Sequence, residues 1–326
     1  MLRRLLVVGL ALVGLALPAS ARALTSPSVA IFYYPWYATP RVDGFWEHWD
    51  QNGHRPPTDV YSRFYPAGGP YSSADPAVLA RQMAEISAAG VDQVIVSWWG
   101  RGSWEDIRLP SVMAAARRHH LTVALHLEPY DGRSASSVAG DLAYASSLGI
   151  RDVYVYQPDD LSISDWTSVR AQAPPGMRLF AGTHLIGFAA AAHFDGFYTY
   201  DFVSFGADKF ALLCREAHAA HLLCAPSVGP GFDGRRAGEE PVRRRRYGQT
   251  YDTLWAAALT AAPDVITITS FNEWGEGTQI EPAEPHRGYG SYDGAWGLTG
   301  TAAEDAYLAR TAYWTGRARS AGVRAP

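Results

Sequence analysis

The chain predicts a single α/β domain closed into a (β/α)8 (TIM) barrel over residues 24–326, with long βα loops at the C-terminal face. Two patterns predict it. Short β-branched runs alternate with helical periodicities about eight times, and such alternation implies parallel strands joined by right-handed crossovers. Aromatic, amide and carboxylate residues also collect where each strand ends, while strand interiors stay aliphatic, as expected for the rim where barrels carry out chemistry. An open doubly wound sheet is the alternative, but no GxGxxG turn follows the first strand, so its usual cofactor site is missing.

Strands are expected at 29–34, 93–98, 122–127, 152–156, 178–182, 196–200, 222–226 and 265–270. Helices are expected at 75–89, 105–119, 136–147, 163–171, 207–219, 247–261 and 302–321. Asp75 before Pro76 supplies an N-cap with proline at the first helical position, and Gly90 closes that helix. Gly149 plays the same closing role two helices later. Two connections are long, 38–74 and 227–246, and long loops over a barrel mouth are where substrate sites lie. The run Arg243–Arg246 in the second loop reads as a solvated charge cluster or a helix lead-in.

Residues 1–23 read as an export leader. Arg3 and Arg4 are basic, 5–17 are apolar, and Ala19-Ser20-Ala21 or Ala21-Arg22-Ala23 offers a cleavage site. The apolar run is short for a membrane span, and no later segment is longer. The mature protein is therefore expected to be secreted or extracytoplasmic, free of the membrane and monomeric. A net charge of −4 gives no footprint for nucleic acid. An aromatic share of 13% suits sugar recognition, in which rings serve as flat apolar platforms with a polar edge. Export permits a disulfide between the two cysteines, Cys214 and Cys224, and a pair of buried thiols is equally open. No His, Asp or Glu spacing suggests a metal, and no cofactor is expected.

The most informative segment is 265–282. A β-branched run, Val265-Ile266-Thr267-Ile268-Thr269, delivers Asn272, Glu273, Trp274 and Glu276 to the carboxyl end of a strand. Glycoside cleavage needs such a carboxyl pair, one group protonated while the other is ionised. The same rim holds Tyr34 and Tyr37 after the first strand, Trp98 and Trp99 after the second, Glu128 and Tyr130 after the third, and Tyr198 and Tyr200 after the sixth. These are the expected substrate contacts, together with Asn272 and Trp274.

The chain resembles glycoside hydrolase family 99, the endo-α-1,2-mannosidase and mannanase family. The resemblance rests on 31–37 (IFYYPWY), 64–76 (FYPAGGPYSSADP), 97–99 (SWW), 128–133 (EPYDGR), 194–200 (FDGFYTY), 226–231 (PSVGPG) and the segment 270–282. It implies a (β/α)8 barrel and a retaining, endo-acting hydrolase of α-mannan-like oligo- or polysaccharides. It implies that Glu273 deprotonates the sugar 2-hydroxyl, which attacks the anomeric carbon to give a 1,2-anhydro sugar. Glu276 is then the acid that protonates the leaving oxygen and the base that later activates water. By the same resemblance Glu128 contacts the sugar at the −1 subsite and Trp99 lines −2. The chain departs from the family pattern between Gly149 and Gly182, where it is shorter, and at Gln157-Pro158 and Phe232, positions that shape outer subsites. The alternatives are a same-barrel glycosidase acting on another α-linked polysaccharide and a carbohydrate-binding barrel without turnover. A binding module, however, has no use for a proton donor beside a base.

Overall fold

A computed structural model describes residues 26–240 and 242–322; the expected leader at 1–23 lies outside the described residues. Eight strands form one parallel sheet. They are β1 (Ser28–Tyr33), β2 (Gln93–Trp98), β3 (Thr122–Leu127), β4 (Asp152–Val155), β5 (Arg178–Gly182), β6 (Gly196–Tyr198), β7 (Leu223–Ala225, resuming as Ser227–Val228) and β8 (Val265–Ile268). Neighbours in sequence pair in order, and β1 pairs with β8 in the register Ser28↔Val265, which closes the barrel. The seventh strand is broken at Pro226. Before the proline Cys224 lies against Phe197 of β6, and after it Ser227 lies against Thr267 of β8. Proline lacks the N–H that an unbroken ladder would use. Its carbonyl still accepts from Thr267 N–H at 3.1 Å, so closure is kept across the break.

The outer layer is α1 (Pro76–Ala88), α2 (Trp104–Arg118), α3 (Ala135–Ser147), α4 (Ile163–Gln172), α5 (Ile186–Ala191), α6 (Ala207–Ala219), α7 (Gln249–Thr260), α8 (Thr301–Glu304) and α9 (Ala306–Gly322). The caps follow the sequence. Asp75 accepts from Ala77 N–H with Pro76 at the first position, and Ser134 and Ser162 form capping boxes with Ser137 and Asp165. Gly90 sits at φ +76°, and a Cβ there would meet Thr315 Oγ1 of α9 at 2.4 Å. That position needs glycine for its backbone and for the close approach of the last helix. α5 is a correction, because no helix was expected between the fifth and sixth strands. Its six residues, IGFAAA, are too short and too uniformly apolar to show a period.

Strand alternation sorts the aromatics. On β1, Phe32 points into the barrel against His126, Tyr154, Tyr198 and Tyr200, while Tyr33 points outward and donates to Gln82 of α1 at 2.6 Å. Among the described residues no helix is long and apolar enough to cross a membrane. Cys214 of α6 and Cys224 of β7 are joined, with Cα atoms 5.1 Å apart, which resolves the alternative that the sequence left open. The bridge closes a loop of sequence separation 10; chain-entropy arguments give such a loop about 2–3 kcal/mol. A Cys214→Ala/Cys224→Ala variant is therefore expected to unfold at lower denaturant, measured by urea melts monitored through tryptophan fluorescence. Its slope should equal the wild type's or be slightly steeper, since its unfolded chain is less constrained. An unchanged midpoint would mean that the bridge contributes nothing to stability.

Candidate active site

The segment after β8 is built to hold two glutamates at the barrel mouth. Ser270 N–H donates to Thr278 O at 3.0 Å and Ile280 N–H to Ser270 O at 2.9 Å, so 270–280 folds back as a tight loop. Ser270 Oγ receives Glu273 N–H at 2.8 Å. Asn272 is buried and uses its carboxamide as a peptide would, receiving Tyr34 N–H at 2.8 Å and donating to Tyr34 O at 3.0 Å. The loop is thereby bonded to the end of β1. Tyr37 donates to Asn272 O at 2.9 Å and receives Trp274 N–H at 3.1 Å. Trp274 Nε1 donates to buried Glu281 at 3.0 Å. At the tip, Gly277 has φ +65°, and a Cβ there would meet the Asp233 backbone at 3.0 Å. Asp233 N–H in turn donates to Glu276 O at 2.8 Å.

Glu273 and Glu276 line one cleft of about 250 Å³. Glu273 is 6% exposed. Its Oε1 receives Gly275 N–H at 3.0 Å, and its Oε2 is buried without a protein partner. Glu276 receives the Tyr200 hydroxyl at 3.2 Å, and Tyr200 is bonded to the Tyr34 hydroxyl at 2.5 Å. Neither glutamate is paired with an arginine or lysine among the described residues. Burial without a cation pushes both carboxyls up. Glu276 is raised to about 8, first by burial and then by Glu239, with the Tyr200 hydroxyl opposing. Glu273 lies well above the usual carboxylate range, first by burial and then by Glu276. A charge on either carboxyl raises the proton affinity of the other, so the pair holds protons more tightly than free glutamates do.

The remaining wall combines rings and one further acid. Glu128 receives Ser97 Oγ at 2.8 Å, and its Oε1 lies 2.8 Å from His126 Nδ1 without the alignment of a hydrogen bond. Trp99 is 40% exposed over the cleft. Trp36 stacks on His48 at 4.2 Å, and its buried Nε1 has no partner. His48 is pushed down to about 3 by burial and Arg108, so it is neutral.

Of the residues expected from sequence, Glu273, Glu276, Tyr34, Tyr37, Trp99, Glu128 and Tyr200 converge on this cleft. The others stand behind it. Trp98 is fully buried on the helix side of β2, donating to Asp106 at 2.9 Å and stacking on Tyr144. Strand alternation turns Ser97 inward and Trp98 outward, so only the second tryptophan of the pair reaches the mouth. Tyr130 donates to Asp141, and its hydroxyl also lies within bonding distance of Ser137 Oγ of α3. Tyr198 is buried with its hydroxyl 2.8 Å from His126 Nε2. Asn272 and Trp274 are fully buried and act through the loop they hold. These five, expected as sugar contacts, stand outside the lining of this cleft. His48, Gln51 and Tyr61 from the long loop after β1, and Glu239 from the loop after β7, were not singled out yet line the cleft. Loop length was the one signal available for them, since none lies at a strand end.

Comparison with known proteins agrees with this geometry. The sequence matches the Glycosyl hydrolase family 99 profile over residues 25–148 and 167–320. It is 35% identical to a glycoprotein endo-alpha-1,2-mannosidase-like protein of Danio rerio, across 79% of this chain and 72% of that one. It is 31% identical to the glycoprotein endo-alpha-1,2-mannosidase of Rattus norvegicus, across 79% and 68%. The fold superposes on the GH99 endo-alpha-mannosidase of Bacteroides thetaiotaomicron with a TM-score of 0.81 at 28% identity, covering 91% of this chain and 98% of that one. A match that takes in both glutamates of the cleft and the loop that carries them places the chain in glycosyl hydrolase family 99, among the glycoside hydrolases.

Proposed function

We propose that the protein is a retaining, endo-acting α-mannoside hydrolase that works through the sugar 2-hydroxyl. The observation that carries this reading is a pair of unanswered polar atoms in one cleft: the acceptor Glu273 Oε2 and the donor Trp36 Nε1. Buried groups of this kind cost stability unless a ligand completes them, and a sugar hydroxyl can both donate and accept. A 2-hydroxyl donating to Glu273 Oε2 joins Gly275 N–H in stabilising the Glu273 anion, while Glu276, raised to about 8, keeps its proton. Glu273 is then the base, the sugar 2-oxygen attacks C1, and Glu276 gives its proton to the departing oxygen. In the second half Glu276 takes a proton from water as its oxygen attacks C1, the C1–O2 bond breaks and Glu273 returns its proton to O2, so the configuration at C1 is retained. The names of the relatives support mannose as the sugar. The basic and apolar residues of 1–23, with a disulfide in the mature domain, support export from the cytoplasm.

The test is incubation with α-1,2-branched mannan and with an α-glucan, followed by chromatography of products and proton NMR of the first-formed anomer. Mannan is expected to yield oligosaccharides whose new reducing ends appear first as the α-anomer, and glucan none. A β-anomer product, or turnover of glucan alone, overturns the reading.

A further inference from the structure

Beyond the cleft lies a larger cavity, of about 850 Å³, to which hydrolysis assigns no task. Its wall carries six arginines, Arg63, Arg235, Arg243, Arg244, Arg245 and Arg246, against three acids, Asp233, Glu240 and Asp293. Their charges are not equally available. Asp233 is taken by Arg235 through two 2.7 Å bonds and approached by Arg63 at 3.8 Å. Asp293 receives Gly300 N–H at 2.7 Å and Ser291 Oγ at 3.2 Å. Arg243, Arg244 and Arg246 are exposed and form no ion pair among the described residues.

Arg245 is fixed within this wall. Its Nη2 donates to Gln279 O at 2.6 Å and Gly277 O at 3.0 Å, and its guanidinium lies 4.6, 4.8 and 4.7 Å from the ring centres of Phe64, Tyr292 and Tyr307. Its Nε and Nη1 are buried with no partner. Enclosed by these rings, Arg245 contributes its positive charge to the wall and leaves direct contacts to the exposed arginines beside it. The backbone of this run is held as well. Phe232 and Arg243 exchange two 2.8 Å bonds, and Thr250 Oγ1 donates to Arg244 O at 2.6 Å. Arg246 and Tyr247 sit at φ 50° and 56°, a left-handed conformation that non-glycine residues keep only where their surroundings impose it. The run is both things the sequence offered, exposed at Arg243, Arg244 and Arg246 and leading into α7, and it also borders one space. The backbone and Arg245 are fixed, and the other three side chains border the same space unpaired among the described residues.

That space adjoins a groove beside the cleft. Phe232 and Glu240 line both the cavity and a groove of about 240 Å³ that includes Tyr156, Tyr200 and Glu276. Glu276 is the group on the leaving side of the bond, so the groove and the cavity lie on the side of the departing part of the glycan.

We propose that this arginine-lined cavity binds a phosphate group carried on the leaving portion of the substrate, so that phosphate-bearing mannans are preferred over neutral ones. The preference rests on the role given to Glu276 above; anion binding by the cavity does not. Guanidinium groups match the oxygens of phosphate in geometry. A phosphomonoester, with a charge near −1.5 to −2 at neutral pH, answers several unpaired arginines better than a single carboxylate does. Tyr247, 73% exposed at the edge, offers the attached sugar a ring.

The experiment uses the whole mature protein and an Arg243→Gln/Arg244→Gln/Arg246→Gln variant, which leaves Arg245 and its carbonyl contacts in place. Calorimetric titration with inorganic phosphate at low ionic strength is expected to show binding to the wild type, weakened about tenfold or more in the variant. In hydrolysis, an α-mannan oligosaccharide with a phosphomonoester on the leaving side is expected to show a KM about tenfold below its neutral counterpart. The variant is expected to lose that difference while keeping the neutral substrate's kcat/KM. Phosphate that fails to bind the wild type, or binds the variant equally, overturns the proposal. Equal KM values for the two substrates, or a uronate-bearing oligosaccharide favoured over the phosphorylated one, overturn it as well. If neither mannan is cut, the proposed function fails, and the titration still decides whether the cavity is an anion site.

Discussion

Replacing Glu276 by glutamine is expected to lower kcat for unactivated mannan by about 10³–10⁴-fold, at the upper end of what a positioned acid contributes, with KM changed little. Glutamine keeps the size of the side chain and can still accept from Tyr200, so the cleft should keep its shape. What is lost is a proton held near the working pH. An aryl mannoside with a good leaving group needs no such proton, so its first step should survive as a burst of phenolate. The second step then stalls, because no base activates water. Azide, which needs no deprotonation, should restore turnover and give an α-mannosyl azide. The pH profile separates this from a merely structural effect. With Glu276 raised to about 8, wild-type activity is expected to fall as pH rises through that value, and the variant's residual activity to lose that limb. Stability should follow with a definite sign. The folded state holds this proton where the unfolded chain has already released it, so the contribution is complete below the ordinary glutamate value and fades as pH rises toward 8. Melting temperatures of the variant should decline less across that window. Wild-type rates on mannan, or a burst absent from aryl substrates, would remove Glu276 from the acid role.

How much of this was legible beforehand depends on how local the signal is. Strand identity and order came from β-branched runs separated by amphipathic ones, a pattern that survives small errors of boundary. The break of β7 at Pro226 was present as a proline, but its consequence, pairing with β6 before and β8 after, is a property of closure that one segment cannot show. Side-chain direction was harder still. A one-residue shift of phase moves a residue across the sheet, and Trp98 next to Trp99 illustrates this: one is buried against Tyr144, the other lies over the cleft. Asn272 and Trp274 lie in the expected loop but buried behind the cleft, because a motif gives proximity to chemistry without saying which side chain faces the cavity. His48, Gln51 and Tyr61 come from a loop whose path is fixed by contacts such as Trp49 Nε1 to Tyr71 O at 2.8 Å and Tyr61 N–H to Trp49 O at 2.8 Å. Such long-range bonds have no periodic trace in the sequence. The arginines 243–246 show the same limit for charge. A run of like residues signals solvent exposure on average, and only the fold shows that four of them face one cavity.

Glu273→Gln is expected to differ from Glu276→Gln in one decisive respect: aryl mannosides should be lost along with mannan, each by about 10⁴-fold, on the scale reported for a positioned base. A good leaving group compensates for a missing acid, whereas it cannot compensate for a 2-hydroxyl that keeps its proton. Glutamine at 273 also places an amide where the buried Oε2 has no partner. Its NH2 can donate to the sugar oxygen but cannot remove its proton. Substrate binding should therefore persist, and a mannan oligosaccharide titrated into the variant should show a dissociation constant within a few-fold of the wild-type KM. Azide should fail to rescue, because the step that is blocked precedes the one that azide replaces. A 2-deoxy or 2-O-methyl aryl mannoside should be inert with the wild type for the same reason, since the internal nucleophile has been removed from the substrate instead of the base from the enzyme. Were Glu273 itself to attack C1, the 2-O-methyl substrate would still trap a glycosyl-enzyme, visible as a mass increase on the peptide containing residue 273. That adduct, or azide rescue of Glu273→Gln to an azide of inverted configuration, would replace the 2-hydroxyl route with a carboxylate nucleophile.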